Sequence, residues 1–414
     1  MRTERWPALS LGQKCHSSSI RVPIRPRQSL HRLHSRLSRH RTRQFRYKGV
    51  TTVSKCILAI NPGSTSTKLA IYEDMKLLFA KTIRHGEEDL NRFRRLADQI
   101  PFRLQAVKTF MEENGFDSAS LSGVAGRGGL LKPLQSGTYE VCEAMLEDAR
   151  TGVFGEHASN LGSILAFEIA SEVGIPAFIV DPVGVDEFIP EARLSGFAGI
   201  KRKSQLHALN MKAVSRKIAS EIGRPLDELN FVVVHLGAGI SVAAQKRGKL
   251  IDVNNADNEG PFSPERAGTL PLKQLISLCY SGKYTEKELI HLVTRRGGVC
   301  SYLGTKSVMD AEERALAGDA EAELVLRAMV HQIAKEIGAM ATVLDGEVDG
   351  VILTGGLAHS DYIIVRIKKR VEFLGNVYVF PGEEELEALA AGALRVLNGE
   401  ELVLRYSGQR EEVR

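Results

Sequence analysis

The sequence predicts an α/β protein built from two copies of one β-β-β unit, and three stretches carry that expectation. The first covers residues 56–72, where an apolar run and an alternating run flank Asn61-Pro62-Gly63-Ser64-Thr65-Ser66-Thr67-Lys68. Two such runs around a Pro-Gly segment form a β-hairpin. The second covers residues 231–244, where Phe231-Val232-Val233-Val234-His235-Leu236 leads through Gly237-Ala238-Gly239 into Ile240-Ser241-Val242. Each hairpin is followed by a short polar turn and a third strand, over 75–83 and over 249–253. One weak motif met twice in the same setting is an internal duplication. The third stretch, residues 351–357, is a buried strand running into Gly355-Gly356.

The residues at these turns suit phosphate. Gly63 has no Cβ, so a ligand can approach its backbone. The N–H groups and hydroxyls of Ser64, Thr65 and Ser66 can surround phosphate oxygens, with Lys68 as a point charge. A polar hairpin tip with no ligand is the plain alternative, and the second copy weighs against it. There His235, Gly237, Gly239 and Ser241 are the matching candidates. Two facing hairpins of this kind imply a nucleotide in a cleft between two related domains. Gly355 and Gly356 would let an adenosine lie flat against the backbone.

On these residues the chain resembles the acetate and butyrate kinase family, within the superfamily that also holds actin, Hsp70 and the sugar kinases. Asn61 to Lys68 resembles the family's first motif and His235 to Ser241 its second. The resemblance runs from about Lys55 to about Leu397, and it is to the butyrate branch. It implies two duplicated ribonuclease H-like domains with an interdomain nucleotide cleft. The expected division is 55–180 plus 386–414 for the first domain and 181–385 for the second, with 1–54 outside both. It also implies ATP/ADP and Mg²⁺, a short-chain carboxylate substrate, a homo-oligomer of two or more copies, and a cytoplasmic location.

Length and composition agree. At 414 residues the chain exceeds a usual single domain. No apolar run approaches the ~20 residues of a membrane helix. Cys15, Cys56, Cys142, Cys279 and Cys300 are scattered with no Cys-x-x-Cys pair, which excludes a zinc site of that type and suits a reducing compartment. The net charge of +5 is unevenly spread. Residues 1–54 hold 13 Lys or Arg against one acid, Glu4; removing that +12 leaves −7 on the remainder. The body is therefore mildly acidic and is not expected to bind nucleic acid.

Residues 1–54 show no sustained periodicity and are expected to be disordered and dispensable. An organellar transit peptide, a basic RNA-binding arm and a misassigned translation start all fit the composition. The last is favoured, with Val53 as a non-Met start codon, because the resemblance is to bacterial enzymes. After the first hairpin a helix is expected over 91–114, with Phe93, Leu96, Ile100, Leu104, Val107 and Phe110 as its apolar residues and Gly115 beyond its end. Glycines flank Arg127 on both sides (Gly126, Gly128, Gly129), so a substrate can approach it; pinning a loop is the alternative role. The family's arginine at this position binds the carboxylate and the transferring phosphoryl group.

His157 and Asn160 match the family's His-x-x-Asn, which lines the active site, near the start of a helix running to about 172. Asp181 ends a buried strand, where open α/β sheets place ligand chemistry. It is read as a catalytic or magnesium-side carboxylate rather than a helix cap. Residues 193–207 leave the acetate branch: Gly196-Phe197-Ala198-Gly199 stands where acetate kinases have Gly-Phe-His-Gly. Arg202, Lys203, Ser204 and His207 follow, as in butyrate kinases. A Gly-Thr-Arg triplet of the acetate branch is replaced by Gly268-Thr269-Leu270. Transition-state charge then falls to Arg202, Lys203 or Arg266, with Arg202 and Lys203 taken as substrate-binding candidates. A long helix is expected over 320–344, with Leu324, Ala328, Ile333, Ile337 and Met340 inward. Glu383, Glu384 and Glu385 open the final helix, where acids suit the macrodipole alone. The family uses a glutamate here near the metal, and Glu385 is the choice; Asn61 joins Arg127, Asp181 and Glu385 as a catalytic candidate.

The expected reaction is ATP-dependent phosphorylation of a short fatty acid, butanoate before isobutyrate, giving an acyl phosphate and ADP reversibly. A nucleotide-driven conformational module like actin or Hsp70 would need a partner-binding appendage or filament insertions, and none is evident. A sugar kinase needs an aspartate base for a neutral hydroxyl, whereas the Arg127 turn suits an anion. The Walker A pattern is absent, and Gly237-Ala238-Gly239 lacks the third glycine of a dinucleotide fingerprint.

Overall fold

A computed structural model describes residues 54–407. The expectations for 1–53, and Cys15 with them, lie outside the described residues. The chain adopts the duplicated α/β fold. The first sheet contains β1 (Cys56–Pro62), β2 (Ser66–Glu73), β3 (Lys76–Arg84), β4 (Leu121–Arg127), β5 (Thr138–Glu140), β6 (Ala177–Val180) and, from the far end of the chain, β12 (Leu404–Arg405). The second contains β7 (Asn230–Leu236), β8 (Ile240–Lys246), β9 (Lys249–Val253), β10 (Gly350–Gly355) and β11 (Val377–Pro381). Their orders are β12-β5-β6-β4-β1-β2-β3 and β11-β10-β7-β8-β9.

One apolar cluster draws on both sheets, and a further cluster covers the other face of each. In the first, β1, β2 and β3 are antiparallel, and β4 then β6 run parallel to β1. In the second, β7, β8 and β9 are antiparallel, and β10 then β11 run parallel to β7. Parallel strands need helical crossovers and so are covered on both faces. Accordingly β1 alternates. Leu58 and Ile60 pack with Val107, Phe110, Leu161 and Leu165, while Ile57 and Ala59 pack with Leu389, Ala390, Ala393 and Leu394 of the helix Glu385–Leu397. In β7, Val232, Val234 and Leu236 face Leu326, Met329, Ile333 and Ile337 of the helix Ala320–Val343. Phe231 and Val233 face the side of Met211, Val214 and Ile218 on the helix Ala208–Ile222.

Three expectations change in detail. The helix over 91–114 is broken into a 3₁₀ turn at Leu96–Gln99 and an α-helix at Ile100–Glu113. Pro101 sits in the first turn of the latter, where its missing N–H costs nothing, and without that N–H no α-helical bond runs back from it into the preceding turn. Gly115 does follow this helix, with φ at +60°. Leu324 is 63% exposed: it lies on the outer face, and Val325 and Leu326 go inward instead. The final helix begins at Glu385, so Glu383 and Glu384 belong to the loop before it.

Parallel register sets out the site. Ile60 pairs with Gly126, and Arg127 pairs with Val180. The residues at the carboxyl ends of β1, β4 and β6 are therefore Asn61, Arg127 and Asp181, side by side. Gly126 is small of necessity, since a Cβ there would lie 2.0 Å from the Gly162 carbonyl oxygen of the helix Asn160–Val173. That close approach seats Arg127 against the start of the helix.

Candidate active site

Asn61, Arg127 and Glu385 meet, although 324 residues separate the first from the last. Asn61 Nδ2 donates to Glu385 Oε2 at 2.5 Å. Arg127 closes a two-pronged fork on the same carboxylate, Nη1 to Oε2 at 3.1 Å and Nη2 to Oε1 at 3.0 Å. Its Nη1 also reaches Asn61 Oδ1 at 3.4 Å. Asn61 and Glu385 are buried, while Arg127 is half-buried at the edge of a cavity. The macrodipole of a 13-residue helix favours the Glu385 carboxylate at its first residue.

That cavity, about 150 Å³, is lined by Arg127, His157, His207, Ser241, Asp257, Arg266 and Arg295 on its polar side and by Leu130, Val183, Leu206 and Ala256 on its apolar side. Three guanidinium groups and one carboxylate line the space, each arginine holding an acid of its own (Arg127 with Glu385, Arg266 with Asp257, Arg295 with Glu265), so an anion would compete with these acids for them. Arg266 Nη1 is 2.9 Å from Asp257 Oδ1, and its buried Nε has no hydrogen-bond partner. Gly239 leaves room here: a Cβ on it would lie 2.3 Å from Arg266 Nη1, and the guanidinium would have to shift. The second glycine turn thus makes room for an arginine laid across it.

Three histidines sit at this place. His157 Nδ1 accepts from the Ser159 N–H at 3.2 Å and lies 2.6 Å from Ser159 Oγ. The proton of the neutral ring is therefore on Nε2. His207 stacks on His235 with ring centres 3.8 Å apart and planes 10° from parallel, and its Nδ1 is 3.3 Å from Ser241 Oγ. His235 is held at both nitrogens, by Asn210 Oδ1 at 3.0 Å and Glu383 Oε1 at 3.1 Å. His157 is exposed as a residue, but the burial of its ring, and then Arg127, lowers its pKa from the ordinary histidine value. His207 lies well below it, through burial first and then His235, Arg127 and Arg266. The hydrogen bond from His235 holds the Glu383 carboxyl below its usual range, with Lys68 and Arg127 adding to this.

These shifts have a sign. An imidazole kept neutral in the folded protein, as the enclosed His207 is, becomes charged in the unfolded chain below about 6.5. Its contribution to stability is whole above that pH and is lost as pH falls from there toward the folded value. A fully linked group costs about 1.4 kcal/mol per pH unit, and the exposed His157 adds less because solvent screens it. The melting temperature is expected to fall between pH 7 and 5.5, less steeply in His207→Asn; an equal slope in the two proteins would remove His207 from the account.

The other candidates are placed as follows. Ser64 and Thr65 are exposed at the first hairpin tip, with Ser66 and Lys68 half-buried behind them. Gly355 has φ +93°, and a Cβ on it would lie 2.5 Å from the Leu236 carbonyl oxygen, so it lets β10 end against β7; a Cβ on Gly356 would meet open space. A Cβ on Gly237 would come within 3.0 Å of His235 Nε2. Asn160 spends its amide on backbone, accepting from Leu130 N at 2.8 Å and donating to the Gly155 carbonyl at 2.9 Å, which fixes the turn after Arg127. Asp181 ends β6 with a left-handed φ of +38°. Its carboxylate accepts from Gly137 N at 2.8 Å and Arg216 Nη1 at 2.7 Å, so it faces that pair rather than Asn61, Arg127 and Glu385. Arg202 is enclosed by Asp252 and Glu259, at 2.9 and 3.0 Å, and Lys203 is exposed. Of the three candidates for the missing charge, Arg266 is the one in the cavity.

Asp257 and Arg295 went unseen as site residues in the sequence, and His207 and Glu383 were noted there without a role. His207 had a visible signal, since it stands just after the segment where the acetate-branch histidine is absent. Arg295 ends the amphipathic helix Glu286–Arg295, and only tertiary packing brings it to the cavity.

Comparison with known proteins gives a consistent picture. Residues 192–387 match the model of the acetokinase family. An acetate kinase from Porphyromonas gingivalis superposes with a TM-score of 0.68 at 17% identity, over 83% of this chain and 100% of that one. A propionate kinase from Francisella tularensis subsp. tularensis SCHU S4 gives 0.65 at 17% identity, over 82% and 98%. An acetate kinase from Entamoeba histolytica gives 0.66 at 15% identity, over 82% and 98%. The chain has the fold of these three enzymes.

Proposed function

We propose that this protein is an ATP-dependent carboxylate kinase of the acetokinase type whose preferred substrate is butanoate. The observation that carries the reading is the cavity in which Arg127, Arg266 and Arg295 converge beside an apolar wall, next to the Asn61–Glu385 pair. The acetokinase match over 192–387 supports the reaction class.

Phosphoryl transfer asks a protein mainly for positioning and for neutralising charge. The carboxylate oxygen attacks the γ-phosphorus, the bond to the β–γ bridging oxygen breaks, and ADP leaves with that electron pair. No general base is required, because a carboxylate is already ionised at pH 7. Arg127 and Arg266 would hold the acceptor and the phosphoryl oxygens. His207, neutral and N–H-bearing, would donate to an equatorial oxygen of the group in flight. The hairpin residues Ser64 to Ser66, with Lys68, would hold the polyphosphate from one side, and Gly237 and Gly239 from the other. Asn61 and Glu385 offer the hard oxygen donors that suit Mg²⁺, which usually takes one or two carboxylates and completes its shell with water and phosphate. When bound, Mg²⁺ neutralises the charge on the phosphate oxygens. Were Glu385 to turn to the metal, the Arg127 fork would open and leave the guanidinium to the substrate.

The cavity, about 150 Å³ and partly open to solvent, is small enough to favour a short chain such as butanoate. A methylene in an apolar pocket is worth about 1–3 kcal/mol, so neighbouring acids should be used less well rather than rejected. The test is a hydroxylamine-trapping assay across linear and branched C2 to C6 acids with Mg·ATP. Butanoate is expected to give the highest kcat/KM; acyl hydroxamate from none of the acids would end the reading.

A further inference from the structure

We infer that Arg103 is a positioning residue for phosphate binding: from inside the protein it sets the conformation of the first hairpin tip, 63–67. The inference rests on the reading of that hairpin as a polyphosphate holder. Arg103 lies in the first half of the helix Ile100–Glu113 and is 0% exposed. Its Nη1 donates to the Ser66 carbonyl at 2.9 Å and to Thr67 Oγ1 at 3.0 Å. Its Nη2 donates to the Ser64 carbonyl at 3.2 Å, and its Nε to Gln99 Oε1 at 3.0 Å. None of these partners is an acid. A buried guanidinium without a carboxylate is expensive to keep, and one retained for stability alone is normally paired.

The hydrogen bonds explain what the arrangement does. A trans peptide directs its C=O and its N–H to opposite sides. Arg103 takes the Ser64 carbonyl inward, so the Thr65 N–H of the same peptide points outward at the exposed tip. The His85 N–H takes the Thr65 carbonyl at 2.8 Å, which turns the Ser66 N–H away from His85. The side chains lock this in. Thr67 Oγ1, which accepts from Arg103, also hydrogen-bonds His85 Nε2, 2.8 Å away. His85 is itself fixed edge-on to Phe102, ring centres 5.1 Å apart. Burial, then Arg103, lowers the His85 pKa. Arg103 remains charged at neutral pH even though burial lowers its pKa to about 10. Its uncompensated positive charge sits directly beneath a tip that takes an anion, in a medium where charge is poorly screened.

The experiment compares wild type with Arg103→Lys, Arg103→Met and, as a control on the exposed face of the same helix, Gln105→Met. Calorimetry with Mg·ATP is expected to show affinity reduced about tenfold or more in Arg103→Met, the scale of lost bonds to a charged group. Arg103→Lys should be intermediate and the control unchanged. In steady state the KM for ATP should rise, with the carboxylate KM within about twofold. Hydrogen exchange of the ligand-free proteins should show faster exchange at 63–67 in both Arg103 variants and no change elsewhere. That last readout needs no nucleotide: a wild type that fails to bind Mg·ATP ends the functional reading, while unchanged exchange at 63–67 ends the role of Arg103. Wild-type ATP affinity in a folded Arg103 variant, or a parallel rise in both KM values, also overturns it. If Arg103→Met does not fold, Arg103→Lys, which keeps stem and charge, decides.

Discussion

Arg127→Lys is expected to lower kcat about 10²-fold or more, the order lost with one transition-state donor. The reaction brings a carboxylate up to a polyphosphate, and their repulsion must be offset before in-line attack. Mg²⁺ neutralises the phosphate side but does not hold the acceptor. The structure has Arg127 binding one carboxylate already, with both Nη atoms on Glu385 at 3.0 and 3.1 Å. That is the geometry in which a guanidinium exceeds an ammonium, since a lysine presents a point charge and no fork. The carboxylate KM should rise as well. Nucleotide binding should change little, because the hairpin residues and the Gly355 turn are separate from Arg127. Steady-state kinetics with calorimetric ATP binding on one preparation reads all three. Near-wild-type kcat would move the acceptor clamp to Arg266, and a selective loss of ATP affinity would place Arg127 on the nucleotide side.

How far the sequence reached depended on whether a feature was local. Both hairpins were legible because alternating apolar runs and glycine turns act over a few residues. The parallel order of β1, β4 and β6 then puts Asn61, Arg127 and Asp181 at one edge, and each had been singled out at a strand end. Spacing alone did not reveal that Glu385 reaches Asn61; the family resemblance pointed there. Arg202 and Arg266 show the limit most clearly. Both are arginines beside glycine- or serine-containing loops, and only the neighbours separate them. Asp252 and Glu259 claim Arg202, whereas Gly239 leaves room for Arg266 over the second hairpin. Arg103 was invisible for a related reason. A charged residue among apolar ones in a helix reads as the solvent face, and here it is as fully buried as Val107 of the same helix. Leu324 errs in the opposite direction, an apolar residue at an inward spacing that lies outside.

Glu187→Gln is expected to destabilise the protein by about 3–5 kcal/mol, the range for breaking a buried ion pair from one side. Its melting temperature should fall on the order of 10 °C. The carboxylate is an acceptor for four donors: Ser136 N at 3.2 Å, Ser136 Oγ at 2.7 Å, Leu250 N at 2.7 Å and Lys212 Nζ at 2.8 Å. Ser136 precedes β5 of the first sheet, Leu250 lies in β9 of the second, and Lys212 is in the helix Ala208–Ile222. The group therefore ties both sheets to one helix. Burial pushes the Glu187 carboxyl up, but Lys212, Ser136 and Leu250 outweigh it and hold it below the usual glutamate value. Its stabilisation is thus present above about 4.5 and lost as pH falls through the lowered value. Glutamine keeps the shape but turns an NH₂ toward donors and leaves the Lys212 ammonium without its counter-charge. Lys212→Met should be milder, because the carboxylate keeps three donors. Pairing Glu187→Leu with Lys212→Met tests the account further. If the ion pair were the whole interaction, two apolar side chains would restore most of the stability. Two backbone N–H groups also depend on this carboxylate, so the double variant should recover only part. Urea melts of the three variants read the difference, and full recovery would show that Ser136 and Leu250 find other partners.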